Sequence, residues 1–314
     1  MKKTTLVSVL LLTTFTSFAG DFNDKIIGGT KAQFGKWPST VALLNTAEIK
    51  RIEAGNAIDG NGQIIPVNRA NYQAQFCGAS LIAPDWVLTA AHCIKSNSVD
   101  KITTLIGAFN LIGDGYRREL KKIIIHPNYN KDTSENDLAL LQLKTKVNVD
   151  TISIASKDAP NGTLATAVGW GAFDGISEHY PSELYEVELP VIDQSICRSY
   201  FPNNHFSSST MLCAGYLQGK KRDVCNGDSG GPLMARIDNG GYKQIGITSW
   251  GASCSDVGSY GAYTRLSKYK SWISSKISPP KESSGGGSML FLLLPFFILM
   301  VATLFPQKKI KVLK

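Results

Sequence analysis

The sequence predicts an all-β protein that ends in one amphipathic helix. Between residues 26 and 265, short runs of branched and aromatic residues alternate with Gly, Pro, Asn and Asp, which is typical of strands joined by turns. Only Leu266–Ile277 has helical spacing, because its apolar residues recur every three or four positions. With 314 residues, 43% of them hydrophobic, the chain can hold one large β domain or two small ones.

The individual elements follow from these runs in chain order. Each predicted strand is four to seven residues long and is bounded by turn residues. The predicted strands are Val41–Leu44, Cys77–Ile82, Trp86–Thr89, Leu138–Leu143, Leu164–Gly169, Tyr185–Val191 and Gln244–Trp250. The residues expected on the buried face of the helix are Leu266, Tyr269, Ile273 and Ile277.

Asn45–Gln75 interrupts this rhythm as a long connection rich in Gly, Asn and Ala. Connections of this length are usually functional or mobile, although a tolerated surface insertion is an equally simple explanation. Both interpretations of this segment stay open.

The N-terminal residues indicate export. Lys2 and Lys3 precede the apolar run Leu6–Leu12 and a small residue at Ala19, which predicts a signal peptide over residues 1–19. Six cysteines then lie in an oxidising compartment, where an even number favours disulfides over a metal site, and the residues alone allow fifteen pairings. They are Cys77, Cys93, Cys197, Cys213, Cys225 and Cys254.

The C-terminal residues change composition twice. Residues 278–288 are rich in Pro, Ser and Gly, as in a linker, and residues 289–305 carry no charge and only one proline. Seventeen such residues are the short end of a membrane span. Four lysines in residues 306–314 would hold that tail on the cytoplasmic side.

The formal net charge of +8 does not indicate nucleic-acid binding once it is located along the chain. The first 25 residues contribute +1 and residues 277–314 contribute +4, which leaves +3 for the rest. That is an ordinary surface balance, so no nucleic-acid partner is expected.

The stretch Gly227–Pro232, which reads GDSGGP, places Ser229 between glycines and beside an acid. It satisfies the G-x-S-x-G pattern of the α/β-hydrolases, but those enzymes need a histidine after the serine. All four histidines precede Ser229: His92, His126, His179 and His205. The order His, Asp, Ser stays open, and it is the order of the chymotrypsin family.

His92 follows a predicted strand in LTAAHC, and Asp137 begins another in NDLALL. Alone, each is more often a packed or turn residue than a catalytic one. Together with Ser229 and the residues around all three, they make the chain from Ile26 to about Ile277 resemble a trypsin-like serine protease of the chymotrypsin family.

The resemblance implies two antiparallel six-stranded β-barrels and a C-terminal helix, with the active site in the cleft between the barrels. The first barrel would supply His92 and Asp137, and the second Ser229 and the substrate pocket. His92 would be the base that accepts the serine proton, and Asp137 would orient it. The N–H groups of Gly227 and Ser229 would form the oxyanion hole.

Asp228 has a separate role in such proteases. Lys25-Ile26-Ile27-Gly28-Gly29 resembles their activation site, so residues 20–25 would be a propeptide and residues 26–277 the protease domain. Cleavage after Lys25 would free an Ile26 amine that pairs with Asp228. An activating protease is therefore a possible partner, and activity would fall at alkaline pH as that amine loses its charge.

Specificity in this family depends on the residue six before the serine, here Asp223, which would select Arg or Lys in protein and peptide substrates. Val224 departs from the trypsin pattern, since a serine there commonly helps solvate a lysine, and it predicts a preference for Arg. It also puts efficient self-activation at Lys25 in doubt. The other residues matched to the pocket are Ser249, Trp250, Gly251 and Gly261.

The resemblance also pairs Cys77 with Cys93, Cys197 with Cys213, and Cys225 with Cys254. The family's calcium loop is poorly matched, because Ala108 stands where its first acidic ligand is expected. Neither a metal nor another cofactor is therefore expected.

The C-terminal linker, apolar run and basic end resemble the GlyGly-CTERM sorting signal of secreted proteins of Gram-negative bacteria. A rhomboid-type protease and the secretion machinery would then be partners, and the mature enzyme would be extracellular or at the cell surface. A permanent membrane anchor is the alternative, and the terminal lysines disfavour a eukaryotic lipid-anchor signal. The rival function is a catalytically silent homologue that acts as a binding or adhesion module, which the complete set of matched residues disfavours.

Overall fold

The computed structural model describes residues 29–94, 98–172, 180–201, 206–216, 227–237, 240–251 and 259–278. Its strands are β1 Thr30–Lys31, β2 Thr40–Asn45, β3 Gln75–Ala83, β4 Trp86–Thr89, β5 Ile102–Ile106, β6 Tyr116–Ile125, β7 Ala139–Leu143, β8 Leu164–Gly169, β9 Tyr185–Pro190, β10 Met211–Gly215, β11 Pro232–Arg236, β12 Tyr242–Gly251 and β13 Tyr260–Arg265. Its α-helices are α1 Thr46–Glu53, α2 Ala70–Ala74, α3 Gln194–Tyr200 and α4 Lys270–Ile277. The described residues are mostly β, as expected, although helices α1, α2 and α3 were not predicted.

The first half of the domain is a closed antiparallel barrel in the order β2-β3-β4-β7-β6-β5. Its short strands β4 and β7 are almost entirely buried, because each lies between two neighbours and packs against the barrel core. Removal of these apolar side chains from water, at about 25 cal/mol per Å², stabilises the barrel.

The second sheet has seven strands, in the order β1-β9-β8-β11-β12-β13-β10, and it is not a closed barrel. The described residues therefore confirm one of the two antiparallel six-stranded barrels that the resemblance implies, and the second sheet is open within them. One bridge, Val191 to Ala214, joins the chain after β9 to β10. The ladder stops there because Pro190 has no N–H to donate and Asp193 already caps helix α3. The additional strand β1 pairs with β9.

The C-terminal helix is shorter than expected. A 3₁₀ turn spans Leu266–Lys268, and the α-helix begins only at Lys270. Leu266, Tyr269 and Ile273 are nevertheless buried in the core of the first barrel, as the helical spacing predicts.

Asn45–Gln75 is a folded insertion and not an extended loop. Asn45 caps helix α1 by accepting hydrogen bonds from the N–H groups of Ala47 and Glu48. The insertion has a small core of its own, made of Ile52, Ala57, Ile65 and Ala70.

Several predicted segments lie outside the described residues: the signal peptide, the propeptide, the linker of residues 278–288 beyond Ser278, and the apolar and basic segments that follow. Within the part of the chain that the structure describes, none of the helices has the length and apolarity needed to cross a membrane.

Candidate active site

Strand pairing in the first barrel brings His92 and Asp137 together. Thr89, the last residue of β4, pairs with Ala139, the first residue of β7. A 3₁₀ turn over Ala91–Cys93 then carries His92 beyond the strand end, and Asp137 precedes β7 by two residues. The His92 backbone N–H donates to Oδ1 of Asp137 at 2.9 Å, and Nδ1 of the ring lies 2.7 Å from Oδ2.

Asp137 is only 1% exposed, and the second sheet supplies the rest of its hydrogen bonds. Ser249 in β12 donates its hydroxyl to Oδ2 at 2.5 Å, and Thr264 in β13 donates to the Asp137 carbonyl oxygen at 2.7 Å. A buried carboxylate is stable only when its oxygens are paired. Because a carboxylate accepts the proton on Nδ1, Nε2 is left to act as the acceptor on the other side of the ring.

The turn that carries Ser229 is held by backbone hydrogen bonds on both sides. The Ser229 carbonyl oxygen accepts from the N–H of Gly78 in β3 at 2.8 Å. The Gly230 N–H donates to the Thr248 carbonyl at 2.8 Å, and the Gly231 N–H donates to the Asp228 carbonyl at 2.8 Å. The nucleophile candidate is thus attached to the first barrel and to the second sheet at once.

Gly230 allows this turn to pack directly against the strands that position His92. Its φ of +81° is rarely adopted by residues with a side chain. A Cβ at Gly230 would clash with Oγ1 of Thr89 and lie 2.5 Å from the Gly78 carbonyl oxygen. The glycine after Ser229 is therefore required by contact with the end of β4.

Asp228 points away from the cavity into the second half of the domain and is 2% exposed. Its Oδ1 accepts a hydrogen bond from the N–H of Gly171 at 2.9 Å. A Cβ on either Gly169 or Gly171 would collide with this carboxylate, so the two glycines make room for it.

A cavity of about 880 Å³ opens beside these groups. Its lining includes His92, Gly227 and Ser229, so the imidazole and the serine open into one space. The folded insertion forms another wall of the cavity, with Tyr72, Gln73 and Gln75 among its lining residues. Sequence reasoning did not identify these three insertion residues, since no motif marks them.

The described part of the predicted pocket lies on strands β12 and β13. Gly251 pairs with Gly261, and a Cβ on Gly251 would lie 3.8 Å from the Gly261 Cα. Trp250 packs edge-on against Phe201, with ring centroids 4.5 Å apart. Lys25, Ile26, Asp223, Val224, Cys225 and Cys254 lie outside the described residues.

Two disulfides are present in the described part of the chain, Cys77–Cys93 and Cys197–Cys213. They are two of the three pairs that the family resemblance implies. Cys77, Cys93 and His92 also place three potential metal ligands close together. Because the two sulfurs are bonded to each other, they are not thiolates and this group does not fit a metal ion.

Comparison with known proteins agrees with the family resemblance found in the sequence. The chain matches the family described as Trypsin over residues 26–273. Trypsin-3 of Salmo salar is 38% identical over 224 residues, which cover 67% of this chain and 89% of the relative. Trypsin-4 of Rattus norvegicus is 39% identical over 251 residues, which cover 76% and 96%. Serine protease 1 of Canis lupus familiaris is 33% identical over 281 residues, which cover 87% and 98%. The chain belongs to the trypsin family and is a serine endopeptidase.

Proposed function

We propose that this serine endopeptidase cleaves proteins and peptides after Arg, and less well after Lys, with Ser229 as the nucleophile. The observation that carries the proposal is the 2.7 Å contact between Nδ1 of His92 and the buried Asp137 carboxylate, beside the cavity that Ser229 also lines. A serine hydroxyl is a weak nucleophile until a neighbouring base takes its proton.

In the proposed reaction, Oγ of Ser229 attacks the scissile carbonyl carbon while Nε2 of His92 accepts the hydroxyl proton. The imidazolium gives this proton to the leaving amine as the C–N bond breaks, which leaves an ester on Ser229. Water then attacks the ester while His92 accepts its proton, and the imidazolium returns this proton to Oγ of Ser229 as the ester C–O bond breaks and the acid product leaves. Asp137 stays ionised throughout and stabilises the imidazolium.

The negative charge on the carbonyl oxygen would be met by the N–H groups of Gly227 and Ser229. Removing one such donor from an oxyanion hole costs roughly 10² to 10³ in kcat, because these bonds strengthen only in the transition state. The φ of +94° at Gly227 supports this role, since it turns the backbone in a way that other residues rarely adopt.

Covalent labelling with a fluorophosphonate tests catalysis directly, because this reagent reacts with an activated serine whatever the natural substrate is. Labelling of the mature protein that is lost in Ser229→Ala and in His92→Ala is expected. We expect Ser229→Ala to lower turnover by roughly six orders of magnitude. A folded wild-type protein that is not labelled would favour the silent homologue that acts as a binding module.

The preference for Arg rests on Asp223 and Val224. A guanidinium can pair with a carboxylate through two parallel bonds, whereas a lysine ammonium needs additional oxygen ligands that valine does not supply. The expected kcat/KM ratio for matched Arg and Lys peptides is therefore larger than in trypsin, and Val224→Ser should reduce it. Equal cleavage of the two peptides would contradict the proposal.

We further propose activation by cleavage between Lys25 and Ile26. The buried Asp228 carboxylate supports it, because an ammonium at the new Ile26 terminus would stabilise a charge that is costly to bury. An α-amino group has a reference pKa near 8, so activity should fall at alkaline pH as the amine becomes neutral. Full activity of Lys25→Gln without an Ile26 terminus would contradict the proposal.

We also propose that residues 1–19 act as a signal peptide for export. A rhomboid-type protease would then cleave the exported chain near Gly285–Gly287. The alternative is retention as a membrane-anchored form through residues 289–305. Mass spectrometry of the mature protein distinguishes the two by its C-terminal mass, and the same measurement identifies the N-terminus that activation leaves.

A further inference from the structure

We propose that Gln75, the residue that joins the insertion to β3, positions the oxyanion hole of this protease. Its side-chain amide nitrogen donates a hydrogen bond to the carbonyl oxygen of Gly227, 2.9 Å away. The inference rests on the proposed roles of Gly227 and Ser229. It adds a residue that acts on the reaction through Gly227 and does not itself contact the substrate.

The donor is held in place by the covalent and packed structure around it. Gln75 pairs with Leu44 at the start of β3, and Ala74 just before it is buried. Two residues later, Cys77 is bonded to Cys93, which follows His92. The Gln75 amide is thus placed relative to the same strand ends that carry the catalytic histidine.

A second contact from the insertion reaches Gly227 by another route. The Tyr72 hydroxyl donates to the carbonyl oxygen of Tyr180 at 2.8 Å. The Tyr180 ring lies against Gly227, since a Cβ built on that glycine would be 3.3 Å from Cε1 of the ring. The end of the insertion therefore contacts the glycine through Gln75 and the backbone of the aromatic residue that packs on it through Tyr72 of helix α2.

The backbone at Gly227 needs such a brace because glycine has more conformational freedom than any other residue. The hydrogen bond of Gly171 to Asp228 restrains the turn on its far side. On the side that faces the insertion, the Gln75 amide fixes the direction of the Gly227 carbonyl. It thereby fixes the plane of the peptide that joins Gly227 to Asp228. Rotation at Gly227 would turn its own N–H away from the developing oxyanion.

The size of the effect follows from the strength of one hydrogen bond. The loss of a neutral bond of this kind corresponds to a change of roughly two- to tenfold in a rate. We expect Gln75→Met, which keeps the length of the side chain but removes the donor, to lower kcat by roughly two- to tenfold. KM should stay nearly constant, because the lost contact acts on the transition state.

A pair of inhibitors separates positioning from a general structural role. A peptide aldehyde forms a tetrahedral adduct with the serine and places an oxygen in the oxyanion hole, whereas the matching peptide alcohol binds without forming it. Gln75→Met should weaken binding of the aldehyde by the same factor as it lowers kcat and leave binding of the alcohol unchanged. If both inhibitors weaken together, Gln75 has a general structural role and the inference is wrong.

The matched control is Gln63→Met, because Gln63 is an exposed glutamine of the same insertion and is not among the residues that line the cavity. This variant should keep wild-type kcat and wild-type affinity for both inhibitors. If the two glutamine variants have the same kcat and the same inhibitor affinities, the inference is wrong, whether or not a fluorophosphonate labels both of them fully. Activity that survives Ser229→Ala would instead overturn the proposed function, so the two failures are distinguishable.

Discussion

The hydroxyl of Ser249 donates a hydrogen bond to Oδ2 of Asp137 at 2.5 Å, from a strand of the second sheet to a carboxylate of the first barrel. The same oxygen lies 2.7 Å from Nδ1 of His92. Ser249 therefore contributes to orienting the carboxylate that orients the imidazole.

We expect Ser249→Ala to lower kcat/KM by about tenfold, which corresponds to the loss of one charge-assisted hydrogen bond of about 1.5 kcal/mol. Asp137→Asn should cost about 10⁴ in kcat, because an amide favours the wrong tautomer of the histidine. Steady-state kinetics on one peptide substrate measure both effects. The exposed Ser275 provides the control, and a Ser249→Ala variant as active as Ser275→Ala would contradict this prediction.

A second prediction concerns the contact between the serine turn and the end of β4. Gly230→Ala should destabilise the fold by about 3 kcal/mol or more, because the new Cβ would collide with Thr89 and its φ of +81° is unfavourable. Denaturant unfolding in the Ser229→Ala background avoids self-digestion. The control is Gly241→Ala, since a Cβ there meets nothing within 4 Å. Equal unfolding midpoints for the two variants would show that the contact with Thr89 does not require a glycine at position 230.

The sequence predicted the strands that correspond to β2, β3, β4, β7, β8, β9 and β12, and it missed the others, including Ile102–Ile106, although all five of its residues are buried. Trp86–Thr89 and Leu164–Gly169 have the predicted bounds. Tyr116–Ile125 was missed because its first seven residues are mainly charged and exposed, and it is a strand through its pairing with β5 and β7. Pro232–Arg236 was missed because it begins with a proline.

The candidate site shows the same division. Ser229, His92 and Asp137 stand in sequence stretches that mark them as candidates, because the backbone around each must have a particular form. Gln75 has no such signal, since its contact with Gly227 joins residues 152 positions apart and depends on the fold of the insertion. The helices of the insertion were missed because its Gly and Asn content is also typical of loops.

A third prediction addresses the folding of that insertion. Ile52 is fully buried in its small core, so Ile52→Ala should cost about 2 to 4 kcal/mol. Because this core is separate from that of the barrel, the loss should appear first as local opening. Limited proteolysis in the Ser229→Ala background should then cut within residues 54–66, with the barrel intact. Loss of the whole fold without this early cut would contradict a locally folded insertion.

The last prediction uses the ion pair between Asp158 and Arg265. The Arg265 side chain is 4% exposed and its Nη1 lies 2.7 Å from Oδ2 of Asp158. Burial alone would raise the pKa of Asp158, but the hydrogen bond from Ser267 and the charge of Arg265 together hold the pKa below its usual value. A carboxyl whose pKa is lower in the folded state stabilises the fold above its unfolded pKa, near 3.9, and loses this contribution as the pH falls through its folded pKa.

Asp158→Asn should therefore lower the free energy of unfolding by about 1 kcal/mol at pH 7, a modest value because half of the carboxylate faces solvent, which screens the pair. The difference from wild type should shrink as the pH is lowered from about 5 to 2, where the native carboxylate also becomes protonated. Denaturant midpoints of both proteins at pH 7 and at pH 3, again in the Ser229→Ala background, measure this change. Asp132→Asn is the control, because Asp132 is exposed and its contact with Lys131 is 3.8 Å long. A deficit in Asp158→Asn that is the same at both pH values would show that the carboxylate charge does not stabilise Arg265.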